Sequence, residues 1–590
     1  MMYARYGGQH KIEEPGKLLR RAASFGRYLR WPFVGAILVT ILATVIRLIG
    51  PLVVRGGVDA GIDTGDSSGV TRAGVAFATV LLLQWVTQRL SVYSVAWVGQ
   101  QYLRDLRVRV FGYLMRLDID YFSRTKTGVI VSRMTSDIEA LGTFVEEGAA
   151  NIVTAVLTVV GVAIAMFLVD VQLAFFIMLM VPVLILASLV FRTYADRAYR
   201  RIREQIGQVL GSLQEGITGV RVVQAYTQED QRADMFGRVN HEYYEANMAA
   251  ARAISVYFPT VDFFRTVGQV IVLVAGGLRV IDGTLTFGSL IALLLYLSWF
   301  FEPVTQLSNT YNLLQSALAA LSKLFGVLDR TPSVPEPVAP MMPNGDGAVH
   351  FHDVRFGYDH DVPVLSEISL AIAPGERVAV VGETGAGKST IAKLAVRFYD
   401  PTAGSVTIDG VDLRSIPSAD LRRLITLVPQ EGFLFSGSIR DNIRYSRPDL
   451  SDDEVWHVCR TIGIEDWVRS LPERLDTDVR ERGSRLSSGE RQLVALARAL
   501  AADPTVIVLD EATSNLDPET EVRVERALTA LLANRTAIVI AHRLQTAKRA
   551  DRVVVVDAGR ITEIGSHDEL VAAGGMYAEL QAVWEHTHTG

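Results

Sequence analysis

The chain has 590 residues, too many for one core, so two to four domains are expected. Hydrophobic residues make up 49% and the mean hydropathy is +0.25, high for a soluble protein, while a net charge of −6 gives no electrostatic footprint for nucleic acid. The single cysteine, Cys459, excludes an intrachain disulfide; within the apolar helical stretch Val455-Trp456-His457-Val458-Cys459 it reads as buried packing.

From the N-terminus, residues 1–30 carry a basic amphipathic stretch, Lys17-Leu18-Leu19-Arg20-Arg21. Lys17 to Arg30 is expected to form a short helix on the inner membrane surface that leads into the first span. The apolar run after Trp31 is too long for a cleavable signal. Residues 31–328 then hold six apolar segments, near 31–58, 71–101, 144–168, 171–191, 256–280 and 287–313. Each approaches or exceeds the roughly 20 residues that cross hydrocarbon. Only Asp170 separates the third from the fourth, which requires a very short turn.

The loops set the orientation. The first connection holds Asp59, Asp63 and Asp66 against a lone Arg72. The second holds Arg104, Arg107, Arg109, Arg116, Arg124, Lys126 and Arg133, and the fourth Arg192, Arg197, Arg200, Arg201 and Arg203. The positive-inside bias places the N-terminus, both long connections and the C-terminal half in the cytosol. Both long connections keep a helical pattern, so helices are expected to continue well past the bilayer.

Among the ionisable residues in the spans four are notable: Arg89, Asp262, Arg265 and Glu302. All sit roughly 20–27 Å below the outer face at 1.5 Å per residue. Charge at that depth usually faces a wet cavity. Two readings fit: a polar layer lining a substrate cavity with Tyr93, Trp97, Tyr257 and Phe264, or internal pairs that fix helix packing. Asp262 and Arg265, three apart, share a helix face and could pair. Arg47, nearer the outer side, is expected to snorkel.

A proline-rich linker, residues 329–347, marks a domain boundary. Beyond it, residues 348–590 alternate short apolar runs with helical patterns, as in an α/β domain with buried parallel strands. One run, Arg377-Val378-Ala379-Val380-Val381, leads into Gly382-Glu383-Thr384-Gly385-Ala386-Gly387-Lys388-Ser389-Thr390. This is the phosphate-loop pattern G-x-x-x-x-G-K-[ST], in the strand-to-helix context its mechanism needs. Glycine N–H groups would curl around phosphate oxygens, Lys388 would reach the terminal phosphates, and Ser389 would bind Mg2+. A second run, Thr505-Val506-Ile507-Val508-Leu509, ends in Asp510-Glu511. Asp510 suits a Mg2+ carboxylate and Glu511 a base that polarises the attacking water.

A phosphate loop alone leaves many unrelated NTPases open. With Leu486-Ser487-Ser488-Gly489-Glu490-Arg491-Gln492 further along, the chain resembles the ATP-binding cassette (ABC) family, exporter type. The resemblance covers nearly the whole chain. It implies a membrane all-α six-helix domain followed by an α/β P-loop NTPase domain with a helical subdomain. It also implies that Tyr358, in Val354-Arg355-Phe356-Gly357-Tyr358, stacks on adenine. Gln430 would contact Mg2+ and the attacking water, and His542 the γ-phosphate. Ser514-Asn515-Leu516-Asp517 resembles the D-loop, with Asp517 at the nucleotide. Thr477-Asp478-Val479-Arg480-Glu481-Arg482-Gly483 resembles the exporter-specific segment before the signature. Tyr121-Phe122-Ser123-Arg124-Thr125-Lys126-Thr127-Gly128 and Gln214-Glu215-Gly216-Ile217-Thr218-Gly219-Val220-Arg221-Val222-Val223 look like the two intracellular coupling loops.

In this family the signature helix headed by Ser487, Ser488, Gly489 and Glu490 faces the phosphate loop of a second cassette. With one cassette, the chain is expected to be a half-transporter that dimerises. Ser488 stands where glycine is usual, as does Arg480, and Asn515 stands where alanine is common, while Glu511, Gln430 and His542 are intact. An altered signature beside an intact hydrolytic set favours a heterodimer over a homodimer. The implied function is ATP-driven export of an amphipathic, lipid-like, drug-like or peptide substrate across a bacterial cytoplasmic membrane, among membrane lipids and without nucleic acid. An importer of siderophore or lipid-like cargo on the same fold is an alternative. A soluble or regulatory ABC ATPase without transport is another, against which the six spans argue.

Overall fold

The computed structural model describes residues 15–359, 362–510, 518–541 and 543–588. The chain divides into two units. Met1–Met115 with Thr127–Arg330 form one, and Arg116–Lys126 with Thr331–Gly590 form the other.

The first unit is helical throughout. The amphipathic stretch becomes α1 (Pro15–Phe25), whose Leu18 is buried while Lys17 and Arg20 stay exposed. A single 3-10 turn, Arg27–Leu29, leads into α2 (Arg30–Gly57). α3 (Ser67–Leu114) starts where the Asp66 carboxylate accepts from the Ser68 N–H, a cap the loop composition did not reveal. Its 48 residues span about 70 Å, more than twice a bilayer core, so the expected extension past the membrane is present.

The short third connection is explained by Asp170 itself. It ends α4 (Ala149–Val169) in extended conformation and caps α5 (Val171–Met178) by accepting from the Leu173 N–H at 2.9 Å. Its carboxylate also meets Arg279 at 2.7 Å. The fourth segment is broken at Leu179-Met180, and α6 (Val181–Thr218) restarts there with Pro182 in its first turn. α7 (Glu229–Ile271) and α8 (Phe287–Leu328) complete the set. Five helical stretches are long and apolar enough to cross a membrane, and Phe287–Pro303 is a shorter apolar sixth.

Packing is closest where side chains are small. A Cβ on Gly161 of α4 would stand 2.3 Å from Leu48 Cδ1 of α2. Tyr296, fully buried on α8, donates to the Leu48 carbonyl at 2.7 Å.

The second unit begins with the expected linker, which lacks regular structure yet is tied down. The Met341 N–H bonds the Ser415 carbonyl, and the Ser418 N–H bonds Glu336. Buried Arg397 donates to the Pro335 carbonyl at 2.9 Å and pairs with Asp400 at 3.0 Å. Two sheets follow. One has the order β2-β1-β4-β5, from β1 (Val349–Phe356), β2 (Leu365–Ile372), β4 (Ala403–Ile408) and β5 (Val411–Asp412), all antiparallel. The other has the order β10-β9-β3-β8-β7-β6, from β3 (Arg377–Val381), β6 (Ile425–Val428), β7 (Val506–Asp510), β8 (Thr536–Ile540), β9 (Arg552–Asp557) and β10 (Arg560–Gly565).

Strands β6, β7, β8, β3 and β9 run parallel, and the central ones are buried almost throughout, as their unbroken apolar runs require. A helical layer packs on this sheet around Val455, Cys459, Leu493 and Leu496. Cys459 is fully buried there, and burial pushes its thiol up to about 12. It is a packing residue, as expected.

Candidate functional site

Because β3, β8 and β7 are parallel, their C-terminal ends open on one edge of the sheet. β3 delivers the glycine-rich loop there and β7 delivers Asp510. One strand separates them, so they lie about 10 Å apart. That gap suits a triphosphate with its metal.

The loop's glycines are required by geometry. Gly382, Gly385 and Gly387 take φ of 147°, 90° and 110°. A Cβ on Gly382 would fall 2.0 Å from the Val556 carbonyl oxygen, and one on Gly387 would fall 2.6 Å from Leu365 Cδ2. A Cβ on Gly385 would meet no protein atom within 4 Å, so the loop packs against the protein at Gly382 and Gly387 and not at Gly385. Glu383 and Thr384 are exposed, whereas Ala386 and Thr390 are buried beneath.

Lys388 opens the helix α9 (Lys388–Ala395) and is 5% exposed. Its ammonium donates to the Gly382 carbonyl at 2.7 Å and to the Glu383 carbonyl at 2.8 Å. A buried cation held by its own loop's carbonyls, beside helix N–H groups that lack intrahelical partners, is a cradle for an anion. Half-buried Ser389 follows in the first turn.

Tyr358 follows β1 and is half-buried. Its hydroxyl lies 3.1 Å from Thr390 Oγ1 and accepts from Lys393 Nζ at 3.3 Å. Its ring meets Tyr399 edge-on at 5.2 Å. Gln430 is exposed just past the end of β6. Glu511, Asp517 and His542 lie outside the described residues.

The signature helix α10 (Ser488–Ala501) starts with a reciprocal cap. The Ser487 hydroxyl accepts from the Glu490 N–H at 3.2 Å, and Glu490 accepts from the Ser487 N–H at 2.8 Å. The sequence pattern S-x-x-E carries the signal for this cap. Ser487 and Glu490 are thereby committed to one another. Ser488 is exposed, so its extra Cβ meets solvent in the protomer, while Gly489 is buried.

Just upstream, Arg480 takes φ 59° and ψ −173°, and Arg482 takes φ 54°. Here is the reason glycine is usual at the Arg480 position: its backbone conformation is one that L side chains seldom adopt. Arg480→Gly is therefore expected to stabilise the protein by about 1 kcal/mol, read as a rise in the thermal unfolding midpoint of the purified full chain. An unchanged or lowered midpoint would contradict the strain.

In the membrane unit, pairing divides the charged residues. Asp262 and Arg265 meet at 3.1 Å, as their spacing suggested. Glu302 is paired as well, with Arg47 at 2.8 Å, and Arg47 also lies 4.9 Å from the Trp299 ring centre. Arg47 therefore does not snorkel. A carboxylate and an aromatic face on α8 take its guanidinium instead, and pairing offsets the two opposite charges within the span. Tyr257, expected beside the cavity, instead belongs to the core. It is 4% exposed, stacks on Phe191 at 4.1 Å and lies 3.0 Å from Ser188 Oγ. Phe264 packs half-buried against the same cluster.

Arg89 differs from the others. It is exposed on α3, 5.8 Å from the Trp85 ring centre, with Tyr93 and Trp97 also exposed, and has no carboxylate partner among the described residues. The Thr40 and Ser91 hydroxyls, 2.7 Å apart, set the level of α3 against α2.

The comparisons with known proteins agree with both units. Residues 33–304 match the family model described as the ABC transporter transmembrane region, and residues 365–514 match the ABC transporter model. An uncharacterised ABC transporter ATP-binding protein of Bacillus subtilis is 38% identical over 85% of this chain and 82% of its own length. A multidrug efflux ATP-binding/permease protein of Mycobacterium bovis is 36% identical over 94% of this chain, which spans only 47% of that relative. A solved bacterial Atm1-family ABC exporter with ATP bound shares 30% identity, covers 94% of this chain and 98% of its own, and superposes with a TM-score of 0.77.

Proposed function

The chain belongs to the ABC transporter family, as an exporter-type half-transporter and integral membrane protein whose ATPase drives transport, and from that premise we propose how its residues divide the work. The phosphate cradle with buried Lys388, in one polypeptide with membrane-crossing helices, is the observation that carries the reading.

ATP binds with its phosphates along Gly382–Thr390 and its adenine against Tyr358. Ser389, Gln430 and Asp510 would hold Mg2+, which when bound screens the phosphate charge. The donor set of a hydroxyl, an amide and a carboxylate, all oxygen, is the kind Mg2+ takes. Lys388 exchanges the Gly382 and Glu383 carbonyls for phosphate oxygens. Glu511 accepts the proton of the attacking water, and His542 steadies the terminal phosphate.

Half-transporters of this family generally dimerise, and the relative of twofold length fits the same stoichiometry. The signature stretch Ser487, Ser488 and Gly489 completes a partner's site, with Asp517 beside the shared interface. The usual-glycine positions occupied by Ser488 and Arg480 favour a second, different half-transporter as that partner. ATP binding closes the cassettes, the loops around Tyr121–Arg124 and Gln214–Gly219 carry the closure to the spans, and hydrolysis resets them.

The cargo is amphipathic, lipid-like or drug-like, and the direction is out of the cytosol of a bacterium. Arg89 supports an amphipathic cargo, because a cation inside a span with no carboxylate partner among the described residues faces a wet surface rather than lipid tails. Tyr93 and Trp97 supply apolar faces next to it. Asp262–Arg265 and Glu302–Arg47 remain as paired charges on the same lining.

Inside-out vesicles containing the protein should accumulate an amphipathic fluorescent dye only when ATP is supplied. Hydrolysis without dye movement for any tested amphiphile would overturn transport of this class. Movement out of such vesicles would assign import instead.

A further inference from the structure

The first cytosolic loop holds the backbone of the residue assigned to the adenine. Its short helix, Ile119–Arg124, groups with the cassette unit. Asp118 caps it, accepting from the Tyr121 N–H at 3.3 Å and from the linker's Ser333 hydroxyl at 2.5 Å. Arg124 ends it. One turn back, Asp120 accepts from Arg124 Nε at 2.7 Å, which orients the guanidinium. One terminal nitrogen then donates to the Asp359 carboxylate at 2.9 Å, and the other to the Tyr358 backbone carbonyl.

The turn so gripped is tight, since a Cβ on Gly357 would stand 2.4 Å from the Val362 carbonyl. Ser123 Oγ lies 3.5 Å from the Tyr399 hydroxyl, and Tyr399 in turn buttresses the Tyr358 ring. Tyr358 is thus held from two sides, its hydroxyl by the phosphate-loop helix and its carbonyl by Arg124. A guanidinium uses three donors here in a planar fork, which an ammonium could not reproduce.

We propose that Arg124 is a positioning residue for base recognition: it sets the place of Tyr358, so that occupancy of the adenine subsite and docking of the first loop are thermodynamically linked. This rests on the adenine-stacking reading of Tyr358. Linkage is reciprocal: a base that stacks better on a fixed ring also holds the loop more firmly. A residue that only anchored the loop would weaken all nucleotides alike.

Steady-state ATPase and UTPase of the full-length dimer in lipid nanodiscs test this with Arg124→Ala, Arg124→Lys, Tyr358→Ala and the Arg124→Ala/Tyr358→Ala pair. Arg124→Ala should raise KM for ATP about fivefold, as expected for losing a charged hydrogen bond. It should move KM for UTP, whose smaller base stacks less, by less than about twofold. Arg124→Lys should fall between, and the double variant should be no worse than Tyr358→Ala.

If Tyr358→Ala raises KM for ATP while Arg124→Ala does not, the inference is overturned and the adenine reading stands. If Tyr358→Ala has no effect, the adenine reading itself fails. Equal rises for ATP and UTP in Arg124→Ala would reduce Arg124 to a general anchor and overturn the inference. Should Arg124→Ala not assemble, Asp359→Ala, which removes one of its partners, decides. An ATP-selective rise supports the proposal, and an unchanged KM overturns it.

Discussion

Glu511→Gln should lower steady-state ATP hydrolysis by about 10²- to 10⁴-fold while leaving ATP binding in place. The expectation follows from the sheet. β7 ends at Asp510, on the sheet edge to which parallel β3 delivers the phosphate loop, and Glu511 is the next residue in sequence. Glutamine keeps the size of glutamate but cannot accept the proton of the attacking water. The described bonds of Lys388 go to the Gly382 and Glu383 carbonyls. Phosphate release and nucleotide binding measured on the same purified preparation separate the two effects. Hydrolysis at the wild-type rate would remove Glu511 from its assigned role.

Gly382→Ala should abolish nucleotide binding by a different route. The new methyl would lie 2.0 Å from the Val556 carbonyl oxygen, on the strand that pairs with β3 through Val380 and Val381. Backbone cannot retreat there without opening the β3–β9 pairing, and φ is 147° besides. A cost of about 2–3 kcal/mol is expected, seen as a lowered thermal midpoint together with lost ATP binding. Gly385→Ala is the control. Its φ of 90° carries strain, but open space surrounds it, so the midpoint should fall less. Equal losses in the two variants would show that the close approach to Val556 is not what demands glycine at 382.

Most of the architecture was legible because it is written in local patterns. Hydropathy located the membrane helices, including the break at Asp170, since burial in hydrocarbon needs long apolar runs and one capping carboxylate suffices to turn the chain. The glycine-rich loop was legible for a similar reason: its backbone conformation restricts residue choice position by position. What local patterns left out were the helix caps at Asp66 and Asp118 and the reciprocal cap of Ser487 with Glu490. That last pattern was present in the sequence and simply competes with many polar stretches of similar composition.

By itself, then, the sequence determined the order of the membrane and nucleotide-binding halves, the apolar helices, the family and the place of the glycine-rich loop. These depend on composition and spacing within a few turns of chain. Only the tertiary structure decided which partner each charge takes. Arg47 meets Glu302 across 255 positions, and Arg124 meets Tyr358 and Asp359 across more than 230. It also placed Tyr257 in the core and gave Arg480 a backbone conformation suited to glycine. The physical reason is the same in each case. A charge or an aromatic ring is satisfied by whichever group packing brings within a few ångströms, and that distance has no counterpart in linear order.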